Sequence, residues 1–383
     1  MIRICDDGME VRWPDGRAFV FHPLWLRERS FAPSNKDPAT GHRLQEVAFL
    51  PLDLSILRAG PSGTTGVAIA FSDGHACRYE LDDLRRCVDR PLPDDLVGEK
   101  RLWDAGLDPL PWHQYDAVKA SPSALLDLAG ALATFGFALL RGMGTEADEL
   151  ATLAALFGPM RETNWGRIAD VKSMADGHDL SMTDRALEPH VDNPYRLPGP
   201  GYIFLHCLEN GSGGGESTLV DGFRAAEALK AQDPAAYAVL SQTPVTFRYA
   251  DPDAILEHYG SLIEQAPDGR VARVRFHNRA DQVVAQSPAA LTAYYRARRE
   301  FAALVWSDRL TLRFKLNPGE AYIVDNHRIL HGRTAIDLST GNRHLRQCYM
   351  DRDIVSSRQK VLLRALRYSP ARGARAEAGP AIC

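Results

Sequence analysis

The chain lacks the features that mark secreted, membrane-spanning and nucleic-acid-binding proteins. Its six cysteines are scattered without a CxxC pair, so no disulfide framework is expected, and the pattern predicts a reduced, cytoplasmic protein. No apolar run approaches the roughly 20 residues of a membrane span, and the N-terminus lacks the apolar core of a signal peptide. A net charge of −4 gives no basic excess for nucleic acid or an acidic membrane. We therefore expect neither nucleic acid nor a membrane as partner.

The length and the local patterns predict two domains. At 383 residues, with 45% apolar and 25% charged residues, the chain is long enough for a second domain or an appendage. Near the start, Asp15-Gly16 and Asp73-Gly74 each lie between β-forming residues, a strong signal for a β-hairpin. Residues 91–115 hold four prolines in a polar setting and predict a linker. We expect a small β-rich domain over residues 1–95, a larger domain over residues 110–370, and a flexible tail over residues 371–383.

The larger domain has the pattern of an α+β fold around an antiparallel β core. Ser121-Pro122 opens an amphipathic helix, with proline in the first turn, where its missing N–H is harmless. Thr145 with Asp148 resembles a capping box for a helix that runs to about Phe157. The remaining elements are predicted as helices over residues 223–231, 234–240 and 288–305, and strands over residues 137–140, 310–314, 320–324 and 343–349.

The segment from Glu188 to Arg196 contains a His-x-Asp pair. In an extended segment residues i and i+2 face the same side, so His190 and Asp192 can point at one ion. An imidazole and a carboxylate are two thirds of the facial triad that binds Fe(II) and leaves positions open. Alone the pair carries little weight, because a chain with 12 histidines contains such pairs by chance. A surface turn is the alternative interpretation.

His331, within Leu330-His331-Gly332, is the predicted third ligand. It follows a predicted strand, and the glycine beside it permits a close backbone approach. His327 is the alternative third ligand, although it stands on the polar side of the turn. A zinc hydrolase fits poorly, since nothing near His190 offers a general base in the usual Glu placement. The predicted metal-binding and catalytic residues are therefore His190, Asp192 and His331.

Two further segments suit an oxygenase site. Arg343 lies twelve residues after His331 on the next predicted strand, and its guanidinium matches a carboxylate in a two-point pairing. An oxygenase that holds a dicarboxylate co-substrate on iron needs such a residue. The run Gly-Gly-Glu-Ser-Thr ends in Ser217 and Thr218, whose hydroxyls suit the same carboxylate. Together, in this order, these motifs are far less expected by chance than any one of them.

These motifs resemble those of the γ-butyrobetaine and trimethyllysine hydroxylases, cousins of taurine dioxygenase. The resemblance covers nearly the whole chain and includes residues 23–27, 37–44, 161–166, 190–195, 215–217, 220–223 and 325–333. It implies a double-stranded β-helix (jelly-roll) catalytic core and a dioxygenase that uses Fe(II), 2-oxoglutarate and O2. It also implies that Ser217 and Arg343 bind 2-oxoglutarate. Since the relatives are homodimers, a homodimer is implied here.

The chain departs from the family in its first domain. The relatives usually carry a zinc site there, with three cysteines in a C-x-C-x-x-C run. Ser30, Ala32 and Asn35 stand at those positions, and none is a thiolate. His75 and Cys77 cannot make a four-ligand site alone. Zinc is therefore not expected.

The predicted substrate pocket also departs from the family. In the relatives an aromatic cage holds a trimethylammonium group by cation–π attraction of about 0.5–2 kcal/mol per contact. Trp165 and Tyr349 match two cage positions, for which core packing is the alternative role. Ala169 and Met182, which are not aromatic, stand at the other two.

Three more residues complete the predicted pocket. Asp179 stands where relatives direct an Asn at the substrate carboxylate, and Asn278 keeps an amide in the second such region. Tyr195 follows the metal motif and adds to the wall. The predicted substrate-binding residues are thus Trp165, Asp179, Met182, Tyr195, Asn278 and Tyr349.

The resemblance therefore predicts hydroxylation of a small zwitterionic trimethylammonium compound, either γ-butyrobetaine or a phosphonate analogue such as 2-(trimethylamino)ethylphosphonate. The thinned cage favours a second hypothesis, hydroxylation of another small amino acid or a sulfonate without a quaternary ammonium. A third is a non-catalytic β-helix protein that binds a ligand. That third hypothesis requires the loss of a metal ligand or of Arg343, and all of them are present.

Overall fold

The structure is a computed structural model that describes residues 1–89, 96–172 and 183–367. The chain divides into two compact units, Met1–Asp94 and Asp95–Ser369. The predicted tail, residues 371–383, lies outside the described residues.

The first unit contains two three-stranded antiparallel sheets, each with its strands in chain order. Both predicted hairpins are confirmed: Asp15-Gly16 joins β2 to β3, and Asp73-Gly74 joins β5 to β6. Gly16 and Gly74 have φ of 87° and 83°, which glycine adopts without a Cβ clash. The elements are β1 (Ile2–Cys5), β2 (Gly8–Arg12), β3 (Ala18–Phe21), α1 (Pro23–Glu28), a 3-10 turn (Val47–Phe49), β4 (Ile56–Ser62), β5 (Gly66–Phe71), β6 (Ala76–Glu80) and α2 (Leu81–Asp89).

A buried guanidinium ties together the part of this unit where the relatives carry cysteines. Arg27 donates to Asp73 Oδ2 at 2.7 Å, to Asn35 Oδ1 at 2.6 Å and to Gln45 Oε1 at 3.0 Å. Ser30 Oγ lies 2.8 Å from His75 Nε2. Ser30 and Asn35 are thus hydrogen-bonded within the unit, and three separate segments meet at one charge.

The second unit is built on a six-stranded and a four-stranded sheet. Its elements are β7 (Trp112–Gln114), α3 (Tyr115–Ala120), α4 (Pro122–Phe135), β8 (Phe137–Arg141), α5 (Glu149–Ala155), β9 (Ile168–Lys172), β10 (Leu187–His190), β11 (Tyr202–Asn210), β12 (Gly213–Gly214), β13 (Ser217–Asp221), α6 (Gly222–Gln232), α7 (Pro234–Gln242), β14 (Val245–Ala250), β15 (Ile255–Gly260), β16 (Ile263–Gln265), β17 (Val271–Val274), β18 (Asp281–Val283), α8 (Pro288–Val305), β19 (Thr311–Phe314), β20 (Ala321–Asp325), β21 (Ile329–Arg333), β22 (Ile336–Asp337), β23 (Arg343–Met350) and α9 (Arg352–Arg367). The sheet orders are β7-β8-β20-β11-β23-β9 and β10-β21-β13-β19.

The two sheets pack face to face and form a jelly-roll core. Leu139 and Tyr322 of the larger sheet share one apolar cluster with Leu219 and Leu312 of the smaller. Because side chains alternate along a strand, the neighbours Ala138 and Leu140 face the other way, against α3, α4, α5 and α9. The outer face of the smaller sheet is covered by α6, α7 and α8. Strands buried on both sides explain the nearly continuous apolar runs in the sequence.

Most of the predicted elements are confirmed, and two predictions are wrong. The helix after residue 145 begins at Glu149 with Asp148 as its N-cap, which makes no side-chain cap bond, so Thr145 forms no capping box. The segment before it is tied to β23 instead, because the Ala147 carbonyl accepts a hydrogen bond from Arg346.

The predicted linker is also wrong over its second part. Trp103 and Leu107 are buried in the core between the sheets, and β7 pairs in parallel with β8. Trp103 Nε1 donates to the Phe135 carbonyl at 2.7 Å. The prolines here belong to an irregular segment that packs on the core. Composition alone does not distinguish such a segment from a linker.

The structure also bears on the predicted absence of a membrane span and on the predicted state of the cysteines. Among the described helices none is long and apolar enough to cross a membrane. Cys5, Cys77, Cys207 and Cys348 are free thiols.

One buried ion pair joins four segments of the second unit. Arg328 and Asp221 have side chains 1% and 0% exposed and make two hydrogen bonds, of 3.1 and 2.8 Å. Arg328 also donates to the carbonyls of Thr134 and Arg101 at 2.9 and 2.6 Å. Asp221 caps α6 and accepts from the Trp103 amide at 3.2 Å. The pair thus fixes the β20–β21 turn, the start of α6 and the end of α4 against the segment near Trp103.

We expect Arg328→Met to lower the free energy of unfolding by about 3–5 kcal/mol, because it leaves a buried carboxylate without its counter-charge. Urea unfolding followed by circular dichroism measures the change. Arg313→Met is the matched control, since Arg313 pairs with Asp308 at the surface and should contribute under about 1 kcal/mol. Equal effects of the two substitutions would contradict the central role of the buried pair.

Candidate active site

Strand pairing brings the predicted metal ligands together. β10 pairs antiparallel with β21, and His190 stands directly opposite His331. Asp192 follows two residues after His190, and its Oδ1 lies 3.3 Å from His190 Nε2 and 3.6 Å from His331 Nε2. One ligand atom from each residue lies within 4.8 Å of the others, a spacing that one metal ion can bridge. His327, the alternative ligand, is not part of this group.

The ring orientation of His190 suits metal binding. Its Nδ1 lies 2.8 Å from the Glu188 carbonyl oxygen. A carbonyl oxygen only accepts, so Nδ1 carries the hydrogen and Nε2 keeps its lone pair for a metal. This backbone contact selects the tautomer that a ligand needs.

Burial and charge set the protonation of the other two residues. Burial lowers the pKa of His331 to about 4, which keeps its imidazole neutral near pH 7. Burial by itself would raise the pKa of Asp192, but His331, His190 and the Tyr349 hydroxyl outweigh it and lower that pKa. A neutral imidazole at His331 and a carboxylate at Asp192 are therefore present together, which is the protonation state that a metal requires of these two ligands.

The side chain of Asn326 holds the backbone of Asp192 from both sides. Asn326 is fully buried; its Oδ1 accepts from the Asp192 amide at 2.8 Å, and its Nδ2 donates to the Asp192 carbonyl at 2.9 Å. Nδ2 also donates to the Pro200 carbonyl at 3.1 Å. The amide thus imitates a neighbouring strand at the point where Asp192 has left β10. The sequence showed Asp325-Asn326 as a motif but gave no sign of this role.

A cavity of about 230 Å³ opens from the triad. Three buried residues in its lining, Arg343, Arg333 and Tyr322, define what we call its inner end, and the part lined by Trp165 is its outer end. Arg343 is 5% exposed, and its Nε is buried without a hydrogen-bond partner among the described residues, as expected for a group that awaits an anion. Arg333, which the sequence analysis missed, is two residues after His331 on the same strand, so strand alternation was the available signal.

Ser217 lies behind this inner end. It is buried, stands opposite Arg333 in the pairing of β13 with β21, and is not among the residues that line the cavity. Ser217 is close enough to the Tyr322 phenol, which does line the cavity, to oppose the rise that burial causes in the pKa of Tyr322. Tyr322, and not Ser217, therefore lines the space that a co-substrate would fill.

Aromatic rings form the outer wall. Trp165, Tyr195 and Tyr349 line the cavity, and so does Tyr249, which the sequence analysis missed. The Tyr249 ring stacks on Tyr195 at 5.2 Å between centroids and meets Trp165 edge-on at 5.5 Å. Ala169 lines the wall at one of the thinned cage positions. Tyr249 comes from the distant strand β14, and no motif connected it with the metal.

Three of the predicted pocket residues are not among those that the structure shows in the cavity wall. Asp179 and Met182 lie outside the described residues. Asn278 is exposed on a turn and is absent from the cavity wall, whereas its neighbours His277 and Arg279 line it. The chain turns after β17, and this turn directs the amide of Asn278 to solvent.

Two guanidiniums give the outer cavity a positive side. Arg279 and Arg248 both line it. Arg279 is close enough for its charge to lower the pKa of His277 and His331, after the larger effect of burial. Arg248 pairs with Glu257 at 3.1 Å. Arg279 is thus a cation near the triad that attracts anions, whereas the electron-rich faces of the aromatic rings attract cations.

Comparison with known proteins agrees with this site. Residues 108–349 match the model of the "Taurine catabolism dioxygenase TauD, TfdA family", and residues 3–85 match "Gamma-butyrobetaine hydroxylase-like, N-terminal". The chain belongs to the TauD/TfdA dioxygenase family. Its second unit therefore carries the family's catalytic fold.

Similar sequences narrow the branch of the TauD/TfdA family. A γ-butyrobetaine dioxygenase of Pseudomonas sp. (strain AK-1) is 35% identical over 93% of this chain and 94% of its own length. A mitochondrial trimethyllysine dioxygenase of Gallus gallus is 27% identical over 93% of this chain and 86% of its own length. The chain thus lies in the γ-butyrobetaine and trimethyllysine dioxygenase branch, as its motifs predicted.

A solved structure supports the fold alone. The crystal structure of asparagine oxygenase with Fe(II), 2S,3S-3-hydroxyasparagine and succinate superposes with a TM-score of 0.51 at 20% identity, covering 67% of this chain and 84% of that one. Family membership and the His-Asp-His group together identify the protein as a dioxygenase with Fe(II) as metal and 2-oxoglutarate and O2 as co-substrates.

We expect Asn326→Ala to weaken metal binding by the apoprotein roughly 10- to 100-fold, the usual range for a residue that orients a metal ligand. Anaerobic calorimetric titration with Fe(II) or Co(II) measures it. Asn210→Ala is the control, because Asn210 donates to the Leu316 carbonyl at 2.8 Å, away from the triad. Unchanged affinity in Asn326→Ala would show that Asp192 does not depend on this clamp.

Proposed function

We propose that the protein is an Fe(II)/2-oxoglutarate-dependent hydroxylase of a small zwitterionic trimethylammonium compound, γ-butyrobetaine or a phosphonate analogue such as 2-(trimethylamino)ethylphosphonate. The observation that carries the proposal is a single cavity that is lined by the triad, by aromatic rings and by guanidinium groups. The names of the relatives in the same branch point to the same substrate class.

In this proposal His190, Asp192 and His331 hold the iron. The donor set fits, because two imidazoles and one carboxylate bring one ligand atom each to within 4.8 Å of one another, and these are the ligand types of the facial triad in Fe(II) oxygenases. When bound, Fe(II) supplies the oxidative decarboxylation of 2-oxoglutarate by O2 that is coupled to hydroxylation of the substrate. The protein's contribution is to fix the ligands, orient both organic molecules and exclude water.

We assign the inner end of the cavity to 2-oxoglutarate. Arg343 supplies a buried guanidinium whose Nε has no hydrogen-bond partner among the described residues. A carboxylate of 2-oxoglutarate would be the acceptor for this N–H. Ser217 is buried close to the Tyr322 phenol, and we infer that it acts on the same end of the cavity through that residue. The distal carboxylate of 2-oxoglutarate would thus be held by charge from Arg343 and by the Tyr322 hydroxyl of β20, with Ser217 supporting Tyr322.

We assign the outer cavity to the substrate. Trp165, Tyr195, Tyr249 and Tyr349 present rings to a cationic head, and contacts of this kind contribute about 0.5–2 kcal/mol each when desolvated. Arg279 attracts an anionic end such as a carboxylate or phosphonate. Opposite charges at the two ends of the substrate would then fix which carbon faces the metal. Tyr249 compensates in part for the missing ring at Ala169.

Domain roles and assembly follow as further parts of the proposal. We assign residues 1–95 to a β-rich domain without zinc and residues 110–370 to the oxygenase domain, and we infer a cytoplasmic homodimer. Light scattering after size exclusion gives the mass in solution.

We expect succinate release and O2 uptake with quaternary ammonium compounds that carry a carboxylate or a phosphonate. Removal of one N-methyl group should lower kcat/KM, because a protonated amine is hydrated and fills the ring-lined wall less well. Succinate assayed over a panel of such compounds measures this. Turnover of a sulfonate or amino acid without a quaternary ammonium, and of none of the panel, would replace the proposal with the alternative substrate class.

We expect His331→Ala to abolish Fe(II) binding and turnover, whereas His327→Ala should keep both within about ten-fold. The reason is geometric: His331 is within 4.8 Å of the other ligand atoms, and His327 is outside that group. Calorimetric titration and O2 uptake test both variants. Loss of metal in His327→Ala together with its retention in His331→Ala would reverse the assignment of the third ligand.

A further inference from the structure

Tyr349 reaches from the aromatic wall to a predicted metal ligand. Its ring lines the cavity, and its hydroxyl lies 2.8 Å from Asp192 Oδ2. The side chain is 5% exposed, and its backbone is held on both sides, paired with Ile203 of β11 and bonded to the Arg161 amide at 2.8 Å. Tyr349 is therefore a rigid part of the larger sheet that contacts the carboxylate directly.

Gln347 sets the direction of this hydrogen bond. Gln347 Nε2 donates to the Tyr349 hydroxyl oxygen at 3.0 Å. A phenol has one hydrogen to give, and its oxygen is already accepting from the amide. The hydroxyl hydrogen consequently points at Asp192 Oδ2, which as a carboxylate oxygen only accepts. The two bonds form a directed chain from Gln347 through Tyr349 to Asp192.

The two hydrogen bonds leave the two carboxylate oxygens of Asp192 with different partners. Oδ2 is engaged by the phenol at 2.8 Å, while Oδ1 faces His190 Nε2 and His331 Nε2 at 3.3 and 3.6 Å. The hydrogen bond thus occupies one lone pair of Oδ2 and leaves Oδ1 as the oxygen that faces both imidazoles. The remaining coordination positions stay open for the co-substrate and O2.

We propose that Tyr349 is a positioning residue that holds Asp192 as a one-oxygen metal ligand, with Gln347 as the residue that aims its hydroxyl. The inference rests on the proposed metal ligands and goes beyond a role for Tyr349 in the substrate wall. The ring of Tyr349 would thus form part of the substrate wall, while its hydroxyl would orient a metal ligand.

Tyr349→Phe separates the two roles, because it keeps the ring and removes the hydroxyl. We expect the apoprotein variant to bind Co(II) roughly 10- to 100-fold more weakly, the range for loss of an outer partner of a metal ligand. We also expect a changed visible spectrum of the Co(II) form, since the freed Oδ2 becomes able to join the coordination. Gln347→Met should weaken Co(II) binding by a smaller factor, because the hydroxyl is kept and only its aim is lost.

Tyr249→Phe is the matched control. Tyr249 lines the same cavity, and its hydroxyl donates to the carboxylate of Asp251 at 2.5 Å, so the same chemical group is removed from a tyrosine that does not touch the triad. Its Co(II) affinity and spectrum should equal those of the unaltered protein. Thermal unfolding of the metal-free variants checks that both retain the fold.

The outcomes distinguish this inference from the proposed function. Equal Co(II) affinity and an equal spectrum in Tyr349→Phe, or a loss in Tyr249→Phe as large as in Tyr349→Phe, would overturn the positioning role. A Tyr349→Phe variant that fails to fold leaves Gln347→Met to decide, and unchanged Co(II) binding there would overturn it as well. Since no organic substrate enters these titrations, failure of every quaternary amine to turn over would reject the proposed substrate alone.

Discussion

The site depends on the antiparallel pairing of β10 with β21 that sets His190 opposite His331. A slip of one residue would turn every side chain of β10 to the other face and remove His190 from the triad. The β20–β21 segment then secures the rest. Asn326 holds the Asp192 backbone, Arg328 forms the buried pair with Asp221, and His331 completes the group. A turn that passes from one sheet to the other thus fixes all three proposed ligands.

The cavity is organised by charge and by shape. Its inner end has buried guanidinium groups, which suit a dianionic co-substrate, and its outer end sets aromatic faces against Arg279. Each group is supplied by a different strand or turn: β21 and β23 contribute the inner arginines, β14 contributes Tyr249, and the turn after β17 contributes Arg279. Tyr349 connects the two ends, because its ring is part of the outer wall and its hydroxyl is bonded to Asp192.

Local signals predicted local structure well. The hairpins at Asp15-Gly16 and Asp73-Gly74 were readable because glycine at positive φ closes a tight turn. The capping box at Thr145 was wrong because a tertiary contact from Arg346 holds the chain before the helix. The segment around Trp103 was taken for a linker because proline content says nothing about whether an irregular chain is buried.

The sequence by itself determined the reaction class: His190-x-Asp192, the later His331 and Arg343 occur in an order that few chemistries share, and the family model agrees. Only the tertiary structure decided what surrounds the metal. Tyr249, Arg279 and the Asn326 clamp come from segments distant in sequence from the residues they contact or face. Asn278, which the resemblance to the relatives placed in the pocket, is exposed on a turn. The physical reason is that side chains alternate along an extended segment, so two ligands at positions i and i+2 can be recognised from the sequence. The residues that line a cavity are brought together by the register between strands and by the course of the turns, which the sequence does not show.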